Sequence, residues 1–263
     1  MNSHKNKKRN EATPGEEKRG TYTYEYPRPA LTADCVIFGF NDERLQILLI
    51  ERGVEPYKGC WALPGGFMRM NESIEECARR ELWEETNVKD VYLEQFHTFS
   101  SPGRDPRGRV VTVAFIALVR PSEYDVVGGD DANIAAWFDA DELPPLAFDH
   151  AEILRTARQY LKEQLRLRPV AFRLVDEIFS VDELRKVYEA INGEKYDRRN
   201  FERKLISSET VEACESTTPS VSKRPVRRFS LSVQLIGKNM VNNEDQANSS
   251  EGSIKNLFDF IDF

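Results

Sequence analysis

The stretch from Gly65 to Val88 constrains the chain more than any other. A glycine pair, Gly65-Gly66, precedes Asn71-Glu72-Ser73-Ile74-Glu75-Glu76-Cys77-Ala78-Arg79-Arg80-Glu81-Leu82-Trp83-Glu84-Glu85-Thr86-Asn87-Val88. Ile74, Ala78 and Leu82 recur at helical spacing with Cys77 beside them, so the segment is expected to form a short amphipathic helix entered from a glycine turn. Asn71 is the expected N-cap, with Glu72, Glu75 and Glu76 at the positive end of the helix dipole. Glu81 and Glu85 lie one turn apart and Glu84 three residues beyond Glu81, which crowds three carboxylates along one edge. Like charges at that spacing repel, so a fold that keeps them needs a compensating cation. Hard divalent ions take oxygen ligands and leave positions for water and phosphate, and they suit such a set.

Gly66, Glu72, Arg80, Glu81, Leu82, Glu84, Glu85 and Val88 resemble the Nudix box: Gly, five residues, Glu, seven residues, Arg-Glu-apolar-any-Glu-Glu-any-Gly-apolar. Asn87 departs from it, standing where the pattern has glycine. That position falls just past the helix C-terminus, where a left-handed conformation is common and Asn is the next-best residue.

Length allows one or two domains with tails. The 40% hydrophobic and 31% charged fractions are those of a globular protein with flexible ends. No apolar run is long enough to cross a bilayer and no signal peptide is visible. Cys35, Cys60, Cys77 and Cys214 are scattered without metal-like pairing or a disulfide framework, which points to a reducing, cytoplasmic setting. The net charge of −7 argues against nucleic-acid binding by the whole surface, though not by one domain.

In order along the chain, residues 1–26 are expected to be a disordered tail, rich in Lys, Asn and Glu. Strand-like runs cover residues 33–40, 45–52, 91–100, 110–119 and 133–138, and a helix with Ile153, Leu154, Ala157, Tyr160, Leu161 and Leu165 on one face covers residues 150–167. This order fits a mixed sheet between helices. It is also what the Nudix resemblance implies, an α/β sandwich over residues 27–167. Between two strands, Ser100-Ser101-Pro102-Gly103-Arg104-Asp105-Pro106-Arg107-Gly108-Arg109 reads as a loop whose three arginines can fork onto phosphate or carboxylate. It resembles the Pro-Gly-Arg-Asp-Pro-Arg-Gly stretch of Nudix proteins that handle ADP-ribose. By that resemblance Arg104, Asp105, Arg107 and Arg109 are candidate ligand-binding residues.

Residues 168–238 read as a second module. Residues 169–179 suggest a helix. Ser180-Val181-Asp182-Glu183 is a capping box opening another, with Leu184, Val187, Tyr188 and Ile191 on one face and Asn192-Gly193 stopping it. Asp197 can cap a third, in which Phe201 and Leu205 face inward and Arg198, Arg199, Asn200, Arg203 and Lys204 are left largely outward. That is the helix-turn-helix order, with a β-like stretch over residues 223–233 serving as a basic wing carrying Lys223, Arg224 and Arg227. From Lys195 to Lys238 ten Lys or Arg face five Asp or Glu, about +5 in a chain of −7. That asymmetry favours phosphate contact. Residues 239–263 are expected to be a flexible tail.

Together the two modules resemble the Nudix-related transcriptional regulators. The resemblance implies a winged helix-turn-helix domain after the Nudix sandwich, a homodimer, a double-stranded DNA operator, and ADP-ribose or a sugar-derived ligand as the signal. If the box is active, the chemistry is hydrolysis of a nucleoside diphosphate linked to another group. Glu81, Glu84 and Glu85, with a carbonyl of Gly65-Gly66, would hold Mg2+ or Mn2+, and Glu72 and Arg80 would brace the loop. A general base could be Glu81, Glu123, Asp125, Asp130 or Asp131. Two functions remain open at this point: a ligand-responsive DNA-binding regulator, and a metal-dependent pyrophosphatase whose second domain serves assembly.

Overall fold

A computed structural model describes residues 24–129, 132–214 and 227–232. Most of the expected N-terminal tail and all of the C-terminal tail lie outside them, as do Lys223, Arg224, Asp130 and Asp131.

The central strand is β1 (Ala30–Phe40), and its alternation builds both cores. Successive side chains of a strand point to opposite faces. Ala33, Cys35 and Ile37 therefore pack on one side with Cys77, Ala78 and Leu82, while Val36, Phe38 and Phe40 pack on the other with Ile153, Leu154, Ala157 and Leu161. β1 pairs antiparallel with β2 (Leu45–Arg52) and β4 (Gly65–Phe67), and parallel with β6 (Val110–Val119). β3 (Trp61–Ala62) and β7 (Ala132–Asp139) join β2, and β5 (Glu94–Phe99) closes the other edge against β6. Helix α1 (Ile74–Thr86) covers one face of this seven-stranded sheet and α2 (His150–Leu167) the other, giving the expected α/β sandwich.

The second module follows from α2 without a break in the core. Leu161 and Leu165 share one apolar cluster with Leu174, Leu184, Ile191, Leu205 and Phe229. Helix α3 (Val181–Asn192) starts at the Ser180 capping box, with Glu183 as the reciprocal partner, and ends at Gly193 with φ 76°. Helix α4 (Arg198–Ser207) is capped by Asp197, whose side chain accepts from the Asn200 amide. β8 (Phe179–Ser180), β9 (Val211–Cys214) and β10 (Arg228–Leu231) form a small sheet in the order β8-β10-β9. The module is a winged helix, as expected.

Three local expectations fail. Asn71 is not the cap of α1; Ser73 is, because its hydroxyl and the Glu76 carboxylate close a reciprocal capping box that leaves Glu72 outside the helix. Residues 169–179 are not one helix. Val170–Leu174 is a 3-10 turn, which lets Ala171 and Leu174, three apart, share one buried face, and the chain then extends so that Phe179 pairs with Phe229. Strand β9 falls in a segment whose sequence reads only as a polar gap, since just one of its four side chains is strongly apolar. Cys35, Cys60, Cys77 and Cys214 are all free. Among the described residues no helix is long and apolar enough to cross a membrane.

Candidate functional site

The glycine pair is a steric requirement. Gly65 has φ 155°, and a Cβ there would lie 2.2 Å from the Ala33 carbonyl oxygen. A Cβ on Gly66 would lie 2.5 Å from Glu81 Oε1. Only glycine at position 65 lets the β4 backbone lie against β1, whereas a side chain at position 66 would push the Glu81 carboxylate aside. At the far end of α1, Asn87 adopts the left-handed conformation, φ 62°, and its amide donates to the Trp83 carbonyl. Its side chain also donates to the Asp125 carbonyl at 3.1 Å, a bond that glycine could not make.

The compensating cation for the acidic edge is Arg80. Its guanidinium forks onto Glu72 at 2.8 and 2.6 Å, and its third nitrogen donates to Glu81 at 2.7 Å and to Glu84 at 2.9 Å. It also donates to the Phe67 carbonyl at 3.1 Å, tying α1 to β4. The Arg80 hydrogen bonds hold the Glu72 carboxyl down to about 2. Glu81 behaves differently, because burial outweighs its bond to Arg80 and raises it. Glu85 turns away from Arg80. It accepts the Gly65 amide at 2.8 Å, and burial pushes it up to about 8, with Glu81 and Asp34 adding to the rise.

Among the described residues no three His, Cys, Asp or Glu side chains are gathered closely enough to hold a metal. The oxygen donors of Glu81, Glu84 and Glu85 fit a hard divalent ion in kind, and an uncompensated buried Glu85 is the group such an ion would relieve. Arg80 holds one oxygen of Glu81 and one of Glu84, so it would compete with such an ion for those two atoms. Of the possible bases, Glu123 is paired with Arg120 and Asp125 lends its carbonyl to Asn87.

Gly65, Gly66, Arg80, Glu81, Glu84 and Glu85 line a cleft of about 580 Å3 that also receives Arg104, Asp105 and Arg107. The arginine loop does not present three free guanidiniums. Arg104 is buried and donates to both oxygens of Asp149, at 2.8 and 2.6 Å, and to Asp34 at 3.4 Å, so it braces β1 against the start of α2. Asp105 accepts from Arg107 at 3.0 and 2.6 Å, which orients that guanidinium edge-on. Arg109 does not line the cleft; it donates to the Ser100 carbonyl at 2.7 Å and closes the base of the loop.

Sequence reasoning missed several cleft residues. Asp34 is a buried carboxylate inside a strand with no other charged residue, and that mismatch was the available signal. His150, the first residue of α2, accepts the Leu63 amide at Nδ1, 2.9 Å, with Nε2 3.8 Å from Asp34. Burial lowers its pKa, so it is neutral at physiological pH and carries its proton on Nε2. Phe67, Phe148 and Arg52 also line the cleft, and no spacing rule marks them.

On the winged helix, Arg199, Asn200 and Arg203 are exposed on α4, with Arg203 donating to Asn200 at 3.1 Å, and Lys204 is half-buried. Arg198 is exposed as expected, and is engaged by Asp182 at 3.0 Å and Glu202 at 3.2 Å. Arg227 is exposed at the start of β10, while Arg228 is tied to Glu183. Phe201 and Leu205 are buried, which is what leaves the basic face of α4 outward.

Comparison with known proteins follows the same division. The NUDIX domain family matches residues 28–157 and the NrtR DNA-binding winged helix domain matches residues 171–231. The chain is 34% identical over 214 residues to the ADPR responsive transcriptional repressor NtrR of Acinetobacter baylyi, covering 80% of this chain and 85% of that one. It is 44% identical over 130 residues to the ADP-ribose pyrophosphatase of Methanocaldococcus jannaschii, covering 49% of this chain and 73% of that one. The crystal structure of Shewanella oneidensis NrtR complexed with a 27mer DNA superposes with a TM-score of 0.63 at 30% identity, covering 77% of this chain and 93% of that one. The chain belongs to the Nudix-related transcriptional regulators of the NrtR type, a Nudix domain joined to a DNA-binding winged helix.

Proposed function

We propose that this protein is an ADP-ribose-responsive transcriptional repressor. Its Nudix cleft binds the ligand and its winged helix binds a double-stranded operator. One observation carries the proposal: a cleft lined by paired carboxylates and arginines opens at the first residue of α2, and the same helix shares an apolar core with α4, whose basic face is exposed. The joint is α2. It begins in the cleft at His150, and at its other end Lys162 donates to the Asn192 carbonyl at the close of α3. Eighteen helical residues span about 27 Å, enough to connect the two sites as one rigid element. A dimer would present two copies of α4 to successive turns of one DNA face. We place the protein in the cytoplasm, where operator DNA and reduced cysteines belong together.

Phosphate contact by Arg199 and Arg203 makes operator binding salt-dependent. Arg199→Ala and Arg203→Ala should each weaken binding of a duplex from the chain's own upstream region and reduce the slope of log affinity against log salt by about one. ADP-ribose affinity should be unchanged in both. Wild-type protein that binds duplex DNA without salt dependence would remove the DNA-binding half of the proposal.

Hydrolysis is a second reading, favoured by the intact Glu81, Glu84 and Glu85. Mg2+ or Mn2+ held by these carboxylates would offset charge on the diphosphate and lower the pKa of an attacking water. The chain itself contributes the Arg80–Glu72 brace and the Gly65–Glu85 hydrogen bond, which set where those carboxylates stand. Release of AMP from ADP-ribose that requires the divalent ion and disappears in Glu84→Gln would establish it; no release by a wild type that binds ADP-ribose would leave a sensor alone.

A further inference from the structure

The winged helix holds a buried charge that DNA contact does not account for. Asp182, Arg185 and Glu189 recur three and four residues apart and so share one ridge of α3. Glu189 is only 5% exposed. Its carboxylate accepts from Arg185, from Lys195 Nζ at 2.9 Å and from the Tyr196 amide at 3.0 Å. Arg185 also donates to Asp182 at 3.1 Å and to the Tyr196 carbonyl at 3.4 Å, while its Nε is buried and makes no hydrogen bond among the described residues. Leaving a buried donor unmatched is costly, so this guanidinium stands where Glu189 and Tyr196 put it rather than where it would be best solvated.

Tyr196 immediately precedes Asp197, the cap of α4. Its amide and carbonyl both meet the α3 ridge, and its hydroxyl accepts from Asn192 at 2.8 Å. Its ring lies 6.2 Å from that of Phe201, one of the two buried residues of α4. A second tie between the helices is the Asp182–Arg198 pair at 3.0 Å, but both side chains are about half exposed, and such pairs contribute little. Buried Glu189 is therefore the group that fixes where the turn after α3 ends and α4 begins. It acts from behind, since Arg199, Asn200 and Arg203 are exposed while Glu189 is not, and a carboxylate would repel a phosphate backbone.

We propose that Glu189 is a positioning residue for operator recognition: by holding the Tyr196 amide it sets the entry of α4, and so the seating of Arg199, Asn200 and Arg203 against base edges, without touching DNA itself. The proposal rests on the operator-binding reading and names a residue on which sequence discrimination depends. Attraction to the phosphate backbone tolerates a small shift of a helix, whereas bidentate contacts to base edges do not. Losing Glu189 also leaves Arg185 and Lys195 without their carboxylate, which adds positive charge. Affinity for the operator and affinity for an unrelated duplex therefore move apart: the first falls, and the second holds or rises.

Anisotropy on the full chain tests it, with a labelled duplex from the chain's own upstream region, a scrambled duplex of equal length, one fixed salt concentration, and stoichiometric titration and thermal unfolding alongside. Glu189→Ala should weaken binding of the upstream duplex between about fivefold and 150-fold, the worth of one base contact, with scrambled-duplex affinity unchanged or higher. Glu189→Gln still offers an oxygen to the Tyr196 amide and should stay within about threefold of wild type on the upstream duplex. Glu189→Asp keeps the charge but draws the oxygens back by one methylene, so it should bind that duplex more weakly than Glu189→Gln does; this pair carries the test if Glu189→Ala does not fold. Amide exchange at Tyr196 should be faster in Glu189→Asp than in Glu189→Gln. The proposal is overturned if the variants lose only Tm or active fraction while keeping the wild-type Kd, if both duplexes weaken by the same factor, or if Glu189→Asp matches wild type and Glu189→Gln does not. If wild type binds the two duplexes equally well, the operator reading falls and this proposal falls with it.

Discussion

Replacing Glu85 by Gln should stabilise the protein, by an amount that depends on pH in a defined direction. Glu85 is buried, its pKa is pushed up to about 8, and its main partner is the Gly65 amide, which a glutamine oxygen can equally well engage. A carboxyl raised from 4.5 to about 8 costs nothing below about pH 4.5, where it is protonated folded and unfolded alike. The cost grows as pH rises from there, because only the unfolded chain loses the proton freely, and levels off above about 8. At about 1.4 kcal/mol for each pH unit, and allowing for relaxation around the charge, it is roughly 2–4 kcal/mol near pH 7.5. Glu85→Gln removes it, which for a chain of this size raises the Tm by roughly 5 °C or more. Thermal unfolding from pH 5 to 9 with chelator present measures this directly. The gain should be small at pH 5, largest above pH 8, and reduced by millimolar Mg2+, which gives the wild-type carboxylate a counter-charge. An equal gain at pH 5 and pH 8.5, or a loss of stability at pH 8.5, would refute the burial argument.

Arg80 and Asp149 give two further tests. Arg80→Met leaves Glu72, Glu81 and Glu84 without their cation and should cost about 3 kcal/mol in chelator, measured by urea unfolding; Mg2+ should recover more stability in this variant than in wild type. In wild type the Glu72 contribution is present above about pH 4.5 and is lost as pH falls towards about 2, so that acid limb should be missing in Arg80→Met. A variant within about 1 kcal/mol of wild type would show that Arg80 does not neutralise the acidic edge. Asp149 caps α2 without a side-chain cap bond because both its oxygens face Arg104. Asp149→Asn should keep operator affinity within about threefold while weakening the effect of ADP-ribose on it by about fivefold or more, read by anisotropy; unchanged coupling would exclude this pair from the signal path.

What could be read in the sequence depended on how local the determinant was. Strands β1, β2 and β6, the two long helices and the caps at Ser180, Asp197 and Gly193 follow from periodicity and from side chains within four residues, and they stand where the pattern puts them. Asn87 likewise adopts the left-handed turn that its position demands. The sharing of charge was not legible. Three acidic side chains on one edge call for a cation, but sequence cannot say that Arg80, on the same helix, satisfies two of them while Glu85 turns to Gly65. Nor could it say that Arg104 is occupied by Asp34 and Asp149, which lie 70 and 45 residues away. Phe67 and Phe148 reach the Arg107 guanidinium from separate elements, and β9 is a strand because β10 pairs with it.

The most direct measurement is titration of ADP-ribose into the complex of the full-length protein with a labelled duplex from its own upstream region, at fixed salt, followed by anisotropy. Release of the duplex with a midpoint above the ADP-ribose Kd measured without DNA, accompanied by a loss of ADP-ribose affinity in the presence of duplex by the same factor as the loss of duplex affinity in the presence of ADP-ribose, is the result expected of two sites coupled through α2. Simultaneous, independent binding of ADP-ribose and duplex would contradict it.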